Sequence, residues 1–254
     1  MNTDPPARPR LAGKTAMITG AARRVGAAIT RSLHEQGANV VIHYRASAAA
    51  AKALAAQLEA ARAGSTELVH ADLLDAGALP GIVHAAIGRF GQLDLLINNA
   101  SSFYPTPIGQ VTLAQWDDLL GTNLRAPLLL TQAAASELRR SRGLVLNIVD
   151  IHGLRPLAGH AVYSVAKAGL IMLTRALARE LAPYVRVNGI APGPVLWPEQ
   201  GLDEATKQHI IGNTLLHRMG EPADIARTVL FFATDAPYVT GQILAVDGGR
   251  SVGW

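Results

Sequence analysis

A tyrosine and a lysine stand four residues apart in Tyr163-Ser164-Val165-Ala166-Lys167, thirteen residues after Asp150. On a helix this spacing puts both side chains on one face, about 6 Å apart along the axis. A lysine ammonium beside a phenol is expected to lower the phenol pKa from its ordinary ~10. The result is a proton donor or acceptor usable near neutral pH. Asp150 narrows the chemistry. A ketone needs hydrogen-bond donors at its oxygen as negative charge develops, whereas an ionised carboxylate only accepts. A reducible C=N ring needs a proton at nitrogen as hydride reaches carbon, and its amino and ring N–H groups can donate to an acid. Asp150 can orient such a ring or feed a proton through Tyr163. As a strand-end residue it can also simply cap the following loop.

A second constellation lies near the start. Thr19-Gly20-Ala21-Ala22-Arg23-Arg24-Val25-Gly26 follows an apolar run and opens a helical pattern. Glycines there let the backbone approach a pyrophosphate, whose charge suits a helix N-terminus. After the second apolar run comes His43-Tyr44-Arg45, with Ser47 close behind and no acid before Glu59. An NAD site carries an acid near this point to hold the ribose 2′-hydroxyl, and that acid repels a 2′-phosphate. Arg45 with Arg23 or Arg24 can instead bind the phosphate by charge-assisted hydrogen bonds, so NADP(H) is the expected cofactor. The alternative is that these arginines are solvated loop charges. Asp72-Leu73 after the third run can meet the adenine amino group or cap a helix. Asn98-Asn99-Ala100 after the fourth can line the cofactor cleft or form a side-chain-bonded turn.

These residues need a frame. Apolar runs at Ala16–Thr19, Val40–His43, Leu68–His70, Leu95–Ile97, Leu144–Val149, Val185–Ile190 and Ile243–Val246 predict strands. Helical patterns occupy Arg24–Gln36, Ser47–Arg62, Pro80–Phe90, Leu113–Arg140, His160–Leu181 and Ala223–Thr234. Short unbroken apolar strands between helices predict an α/β, Rossmann-like, three-layer fold. Its central parallel sheet of about seven strands is flanked by helices on both faces. In such sheets ligands bind beyond the carboxyl ends of the strands. Residues 11–254 read as one catalytic domain and 1–10 as a flexible tail.

The glycine motif, Asn98-Asn99-Ala100, Asn123, Tyr163-x-x-x-Lys167 and Pro192-Gly193 occur in one order at consistent spacings. Together they resemble the short-chain dehydrogenase/reductase family from about Gly13 onward. Three features resemble the pteridine reductases of that family: Arg24 in place of a common glycine, the stretch Asn99-Ala100-Ser101-Ser102-Phe103-Tyr104-Pro105, and Asp150 in place of serine. The resemblance implies that Tyr163 handles the proton, that Lys167 binds nicotinamide ribose and tunes Tyr163, and that Asn123 supports a water relay to Lys167. It also implies that Phe103 stacks on a pterin opposite the nicotinamide, that Ser101 contacts cofactor and pterin, and that Asp150 joins in proton delivery. Asp247-Gly248-Gly249 matches the family, whose members suggest a homotetramer built through the long helices. Val195 departs from the pattern where relatives place a hydroxyl residue, and Leu196-Trp197-Pro198-Glu199 begins a substrate-loop region.

Composition bounds the rest. The chain has 254 residues, is 49% hydrophobic and has no cysteine, so it can carry no disulfide and suits a cytoplasmic, reducing setting. A net charge of +4 without a dense basic run argues against nucleic acid. Met1–Arg10 lacks the apolar core of a signal peptide, and Leu124–Ala135 is too short and too interrupted to span a bilayer. No His/Cys/Asp arrangement has metal-ligand spacing. The expected activity is NADPH-dependent reduction of a pterin or folate. A carbonyl reductase of oxoacyl or sugar substrates and a catalytically silent NADP(H)-binding regulator are the alternatives.

Overall fold

Strand residues here alternate between two buried faces, which is why their sequences read as continuous apolar runs. Ala16, Ile18, Val40, Ile42, Leu95, Ile97, Leu144 and Leu146 pack into one core; Met17, Val41, Leu96 and Val145 pack into the other. The computed structural model describes residues 9–197 and 201–253. Pro198, Glu199 and Trp254, and residues 1–8 of the expected tail, lie outside them. Arg10, also assigned to that tail, is ion-paired with Asp235.

The strands are β1 (Thr15–Ile18), β2 (Asn39–Tyr44), β3 (Thr66–His70), β4 (Leu95–Asn98), β5 (Leu144–Ile148), β6 (Arg186–Pro192) and β7 (Ile243–Val246). They form one seven-stranded sheet in the order β3-β2-β1-β4-β5-β6-β7, every adjacent pair parallel. Strand order reverses between β1 and β4, which opens a crevice at their carboxyl ends. Helices α1 (Arg24–Glu35), α2 (Ala48–Ala61) and α8 (Pro222–Thr234) cover the first core. Helices α3 (Leu79–Phe90), α5 (Ala126–Ser141) and α6 (Ala161–Leu181) cover the second. Each fully buried Val, Leu or Ile contributes roughly 1.5–3 kcal/mol. The fold is therefore the expected Rossmann-like three-layer sandwich.

Two details depart from the sequence pattern. The run expected as one helix over Leu113–Arg140 is divided into α4 (Leu113–Leu120) and α5 by a π-helical turn at Gly121–Arg125. Asn123 sits in that turn, in keeping with the frequent use of such turns at functional sites. A seventh helix in chain order, α7 (Glu204–Gly212), was not anticipated. It has no buried residue, so it shows no apolar stripe to read.

Among the described residues α6 is the one helix long and apolar enough to cross a bilayer. Just over half of that window (56%) is buried inside the fold, which makes it a core helix here.

Candidate active site

The turn after β1 is built for close approach. Gly20 has φ +60°, and a Cβ on Gly26 would lie 2.1 Å from the Gly20 carbonyl oxygen, so neither position tolerates an ordinary side chain. The Thr19 hydroxyl accepts from the Asn99 and Ala100 amides at 2.9 and 3.0 Å. The Asn99 side-chain amide donates to the Thr19 and Gly20 carbonyls at 2.9 and 3.1 Å. Asn99 and Ala100, expected to line the cofactor cleft, thus lock the glycine turn to the end of β4. Thr19 stood in the glycine motif without a role of its own, because a threonine at a strand end carries no signature for such bracing.

Arg23 precedes α1, and Val25 and Gly26 lie in its first turn, where N–H groups lack helical partners. Arg24 adopts φ +52°, a left-handed conformation rare outside glycine, which explains why glycine suits this position. Its guanidinium donates to the Leu196 and Trp197 carbonyls at 3.4 and 3.0 Å, so it links the cofactor turn to the loop after β6.

His43 faces inward rather than toward a ligand. It is 2% exposed; its Nδ1 accepts from the Gly20 amide and its Nε2–H donates to the Ala71 carbonyl, both at 3.2 Å. Burial pushes its pKa down to about 4, outweighing the Ala71 carbonyl that favours the proton. The ordinary value is ~6.5, so the neutral ring belongs to the folded state, and its full stability is present above pH ~6.5. That contribution, on the order of 3 kcal/mol, is lost as pH falls toward 4. Tm should therefore drop steeply between pH 7 and 4.5, and His43→Asn should flatten that limb. An equally steep limb in the variant would remove His43 as its cause.

At the same edge Tyr44 lies against His70, with ring centroids 5.4 Å apart. Arg45 is 3.9 Å from Asp72, with both side chains about half exposed. One Asp72 oxygen accepts from the Leu74 amide at 2.9 Å within a turn, and α3 begins only at Leu79, so Asp72 does not cap a helix. Leu73 is buried in the second core, and Ser47 precedes α2 without a side-chain cap. Pro192 ends β6, and the Gly193 amide donates to the Val246 carbonyl at 3.0 Å.

At the end of β5 the residues expected to handle the proton meet. Asp150 uses both carboxylate oxygens: one accepts from the His152 amide at 2.8 Å, the other from the Tyr163 hydroxyl at 2.7 Å. Asp150 therefore caps the short turn at Ile151–Gly153 and at the same time holds the Tyr163 hydroxyl. Tyr163 and Lys167 are almost fully buried on α6. The Lys167 ammonium donates to the Ile148 carbonyl at 3.0 Å and lies 5.6 Å from the Tyr163 ring centre.

The expectation that lysine lowers the phenol pKa does not hold. Burial raises the Tyr163 pKa well above its ordinary value, and the charge and hydrogen bond of Asp150 raise it further; the Ser101 hydroxyl opposes them. Burial also lowers Lys167 to about 8, with Asp150 partly offsetting the loss. Tyr163 is thus a protonated donor throughout the neutral range, the state required of a general acid.

Asn123 is fully engaged. Its oxygen accepts from the Ser101 hydroxyl at 2.7 Å, and its amide donates to the Ser102 and Leu119 carbonyls at 3.0 and 2.9 Å. It braces the segment that presents Phe103, whose ring meets Tyr163 edge-on at 4.8 Å. The Tyr104 hydroxyl donates to Asp118 at 2.8 Å and ties the same segment to α4. Nothing in the sequence marked that pair, since the contact joins a loop to a helix. Among the described residues no cluster of three metal-ligating side chains occurs.

A glycine cradle at a sheet switch point, beside a buried Tyr-Lys pair whose tyrosine is hydrogen-bonded to a partly exposed aspartate, defines a dinucleotide-dependent oxidoreductase. Comparison with known proteins makes the class specific. A family model described as enoyl-(acyl carrier protein) reductase matches residues 20–251. The chain is 35% identical over 240 residues to a 3-oxoacyl-[acyl-carrier-protein] reductase, FabG, of Staphylococcus aureus, covering 93% of this chain and 97% of that protein. It is 34% identical over 277 aligned positions to pteridine reductase 1 of Leishmania tarentolae, covering 93% and 96%. A blue fluorescent protein from a metagenomic library, solved in complex with NADPH, superposes with a TM-score of 0.90 at 35% identity, covering 95% of this chain and 99% of that one. The chain belongs to the short-chain dehydrogenase/reductase family and is an NAD(P)-dependent oxidoreductase.

Proposed function

We propose that residues 11–254 form one catalytic unit that reduces pteridines with NADPH, converting a dihydropterin, and dihydrofolate as a candidate, to the tetrahydro form. The observation that carries this reading is the 2.7 Å hydrogen bond from Tyr163 to Asp150. The pair presents an accepting carboxyl oxygen and a phenol whose pKa is raised well above its ordinary value. That pairing suits a ring that has N–H donors and needs a proton on an imine nitrogen. Phe103, half exposed beside Tyr163, offers a flat apolar wall for such a ring.

The residues present fit the nucleotide. Gly20 and Gly26 leave the cradle that a Cβ would fill. The start of α1 offers N–H groups to a pyrophosphate, and Arg45 offers charge to a 2′-phosphate. Bound NADPH supplies the hydride. Tyr163 donates the proton, Asp150 orients the ring and holds the phenol, and Lys167 supports the nicotinamide ribose. Ser101 and Asn123 fix the wall that carries Phe103. Arg45→Asp should raise the KM for NADPH by on the order of 10²-fold relative to NADH, the scale of a lost charge-assisted contact plus added repulsion. Equal use of both cofactors by the native enzyme would sink the 2′-phosphate assignment.

A second reading, reduction of a 3-oxoacyl thioester, is favoured by the FabG similarity. Identities of 35% and 34% do not separate the two activities. Residue 150 supports the pteridine reading, because a carboxylate faces a developing oxyanion unfavourably. NADPH oxidation measured with biopterin-, monapterin- and folate-type dihydropteridines, against acetoacetyl thioesters and simple ketones, decides between them. Faster turnover of the thioester would transfer the assignment to the second reading.

Self-association through the long helices, as a tetramer, is supported by Leu128, Val165 and Met172, apolar residues exposed on α5 and α6.

A further inference from the structure

His160 immediately precedes α6, and its imidazole lies flat on Phe103, with ring centroids 4.8 Å apart and planes 12° from parallel. The contact is held by two hydrogen bonds through Thr106. The Thr106 amide donates to the Gly159 carbonyl at 2.6 Å, and the hydroxyl of fully buried Thr106 accepts from the Val162 amide at 3.4 Å. The Phe103 segment and the start of α6 are thereby joined. The His160 Nδ1 lies 3.0 Å from the Ala158 carbonyl. A carbonyl only accepts, so Nδ1 carries the hydrogen and the ring orientation is fixed. Phe103 therefore has one face against His160 and also meets Tyr163 edge-on. A phenylalanine that is half exposed would otherwise turn about its side-chain torsions; parallel stacking on a fixed ring removes that freedom.

We propose that His160 is a specificity-determining positioning residue, which holds Phe103 in the orientation that receives a flat heterocycle. This inference rests on the pteridine reading of the site. His160 acts through Phe103, so its loss affects capture of the ring rather than the chemical step.

The test is a double-mutant cycle in the full-length enzyme, with His160→Ala, Phe103→Ala and both together. KM and kcat are measured with dihydrobiopterin, and Kd with biopterin. His160→Ala should raise KM and Kd roughly two- to tenfold, the scale of one aromatic pair, with kcat within twofold. In the Phe103→Ala background the same change should add nothing, because the residue it positions is gone. His160→Phe, which keeps a flat ring, should restore KM to within twofold of the native value. Additive effects, unaltered KM in His160→Ala, or failure of His160→Phe to rescue would each overturn the proposal. If the native enzyme turns over dihydrobiopterin but the cycle is additive, only this inference falls. If the native enzyme neither binds nor reduces any pterin, the pteridine reading falls and takes this one with it.

Discussion

Tyr163→Phe should lower kcat for dihydropterin reduction by about 10³-fold, within the 10²–10⁴ range of a lost general acid, with little change in the KM for NADPH. The substitution removes one oxygen and keeps the aromatic ring, so the edge contact with Phe103 survives. What disappears is the hydroxyl held 2.7 Å from Asp150. Steady-state kinetics with saturating NADPH measure the effect, and a thermal melt of the same sample checks the fold. A turnover number within threefold of the native value would reject Tyr163 as the donor.

The pH profile should carry the mark of Lys167 instead of the phenol. Because the Tyr163 pKa is raised well above its ordinary value, the phenol stays protonated as pH rises through the neutral range. Lys167 loses its charge near pH 8, so kcat should decline above about that pH. Stability should respond with the opposite sign. The folded pKa of Lys167 lies below its ordinary 10.5, so the cost of its buried charge is present in full below 8 and is relieved as pH rises from 8 to 10.5.

The second large effect concerns substrate choice. Asp150→Ser should reduce kcat/KM for a dihydropterin by on the order of 10²-fold and raise it for an acetoacetyl thioester. Serine replaces a charged acceptor with a hydroxyl that can donate to a developing oxyanion. Removing the carboxylate also withdraws two of the influences that hold the Tyr163 pKa high, leaving burial. The ratio of the two activities in native and variant enzyme is the measurement. An unchanged ratio would show that residue 150 does not decide the substrate.

Much of this architecture was legible because strands buried on both faces have little choice of composition. Met17 and Ile18 point into different cores yet both had to be apolar, and the same holds along β2, β4 and β5. The glycine cradle was legible for a steric reason, the missing Cβ at Gly26. What escaped the sequence depended on depth and direction. A four-residue spacing puts Tyr163 and Lys167 on one helix face. It does not disclose that the ammonium turns to the Ile148 carbonyl, or that burial outweighs its charge at the phenol. His43 read as a cofactor contact from its place after β2, yet its ring supports the glycine turn from behind. The His160–Phe103 stack joins residues from separate loops, which the Thr106 bridge helps to bring together.

The two hydrogen bonds at Asp150 also constrain how such a site can drift. One oxygen fastens the turn at Ile151–Gly153 while the other grips the phenol, so local architecture and reactivity share a single side chain. No single base change turns an aspartate codon into a serine codon; the shortest routes take two changes and pass through asparagine, glycine, alanine or tyrosine. Asparagine retains an acceptor for one of those contacts, whereas glycine and alanine abandon both. An ancestral crossing between imine- and ketone-reducing relatives is therefore expected to leave asparagine, rather than glycine or alanine, among living intermediates.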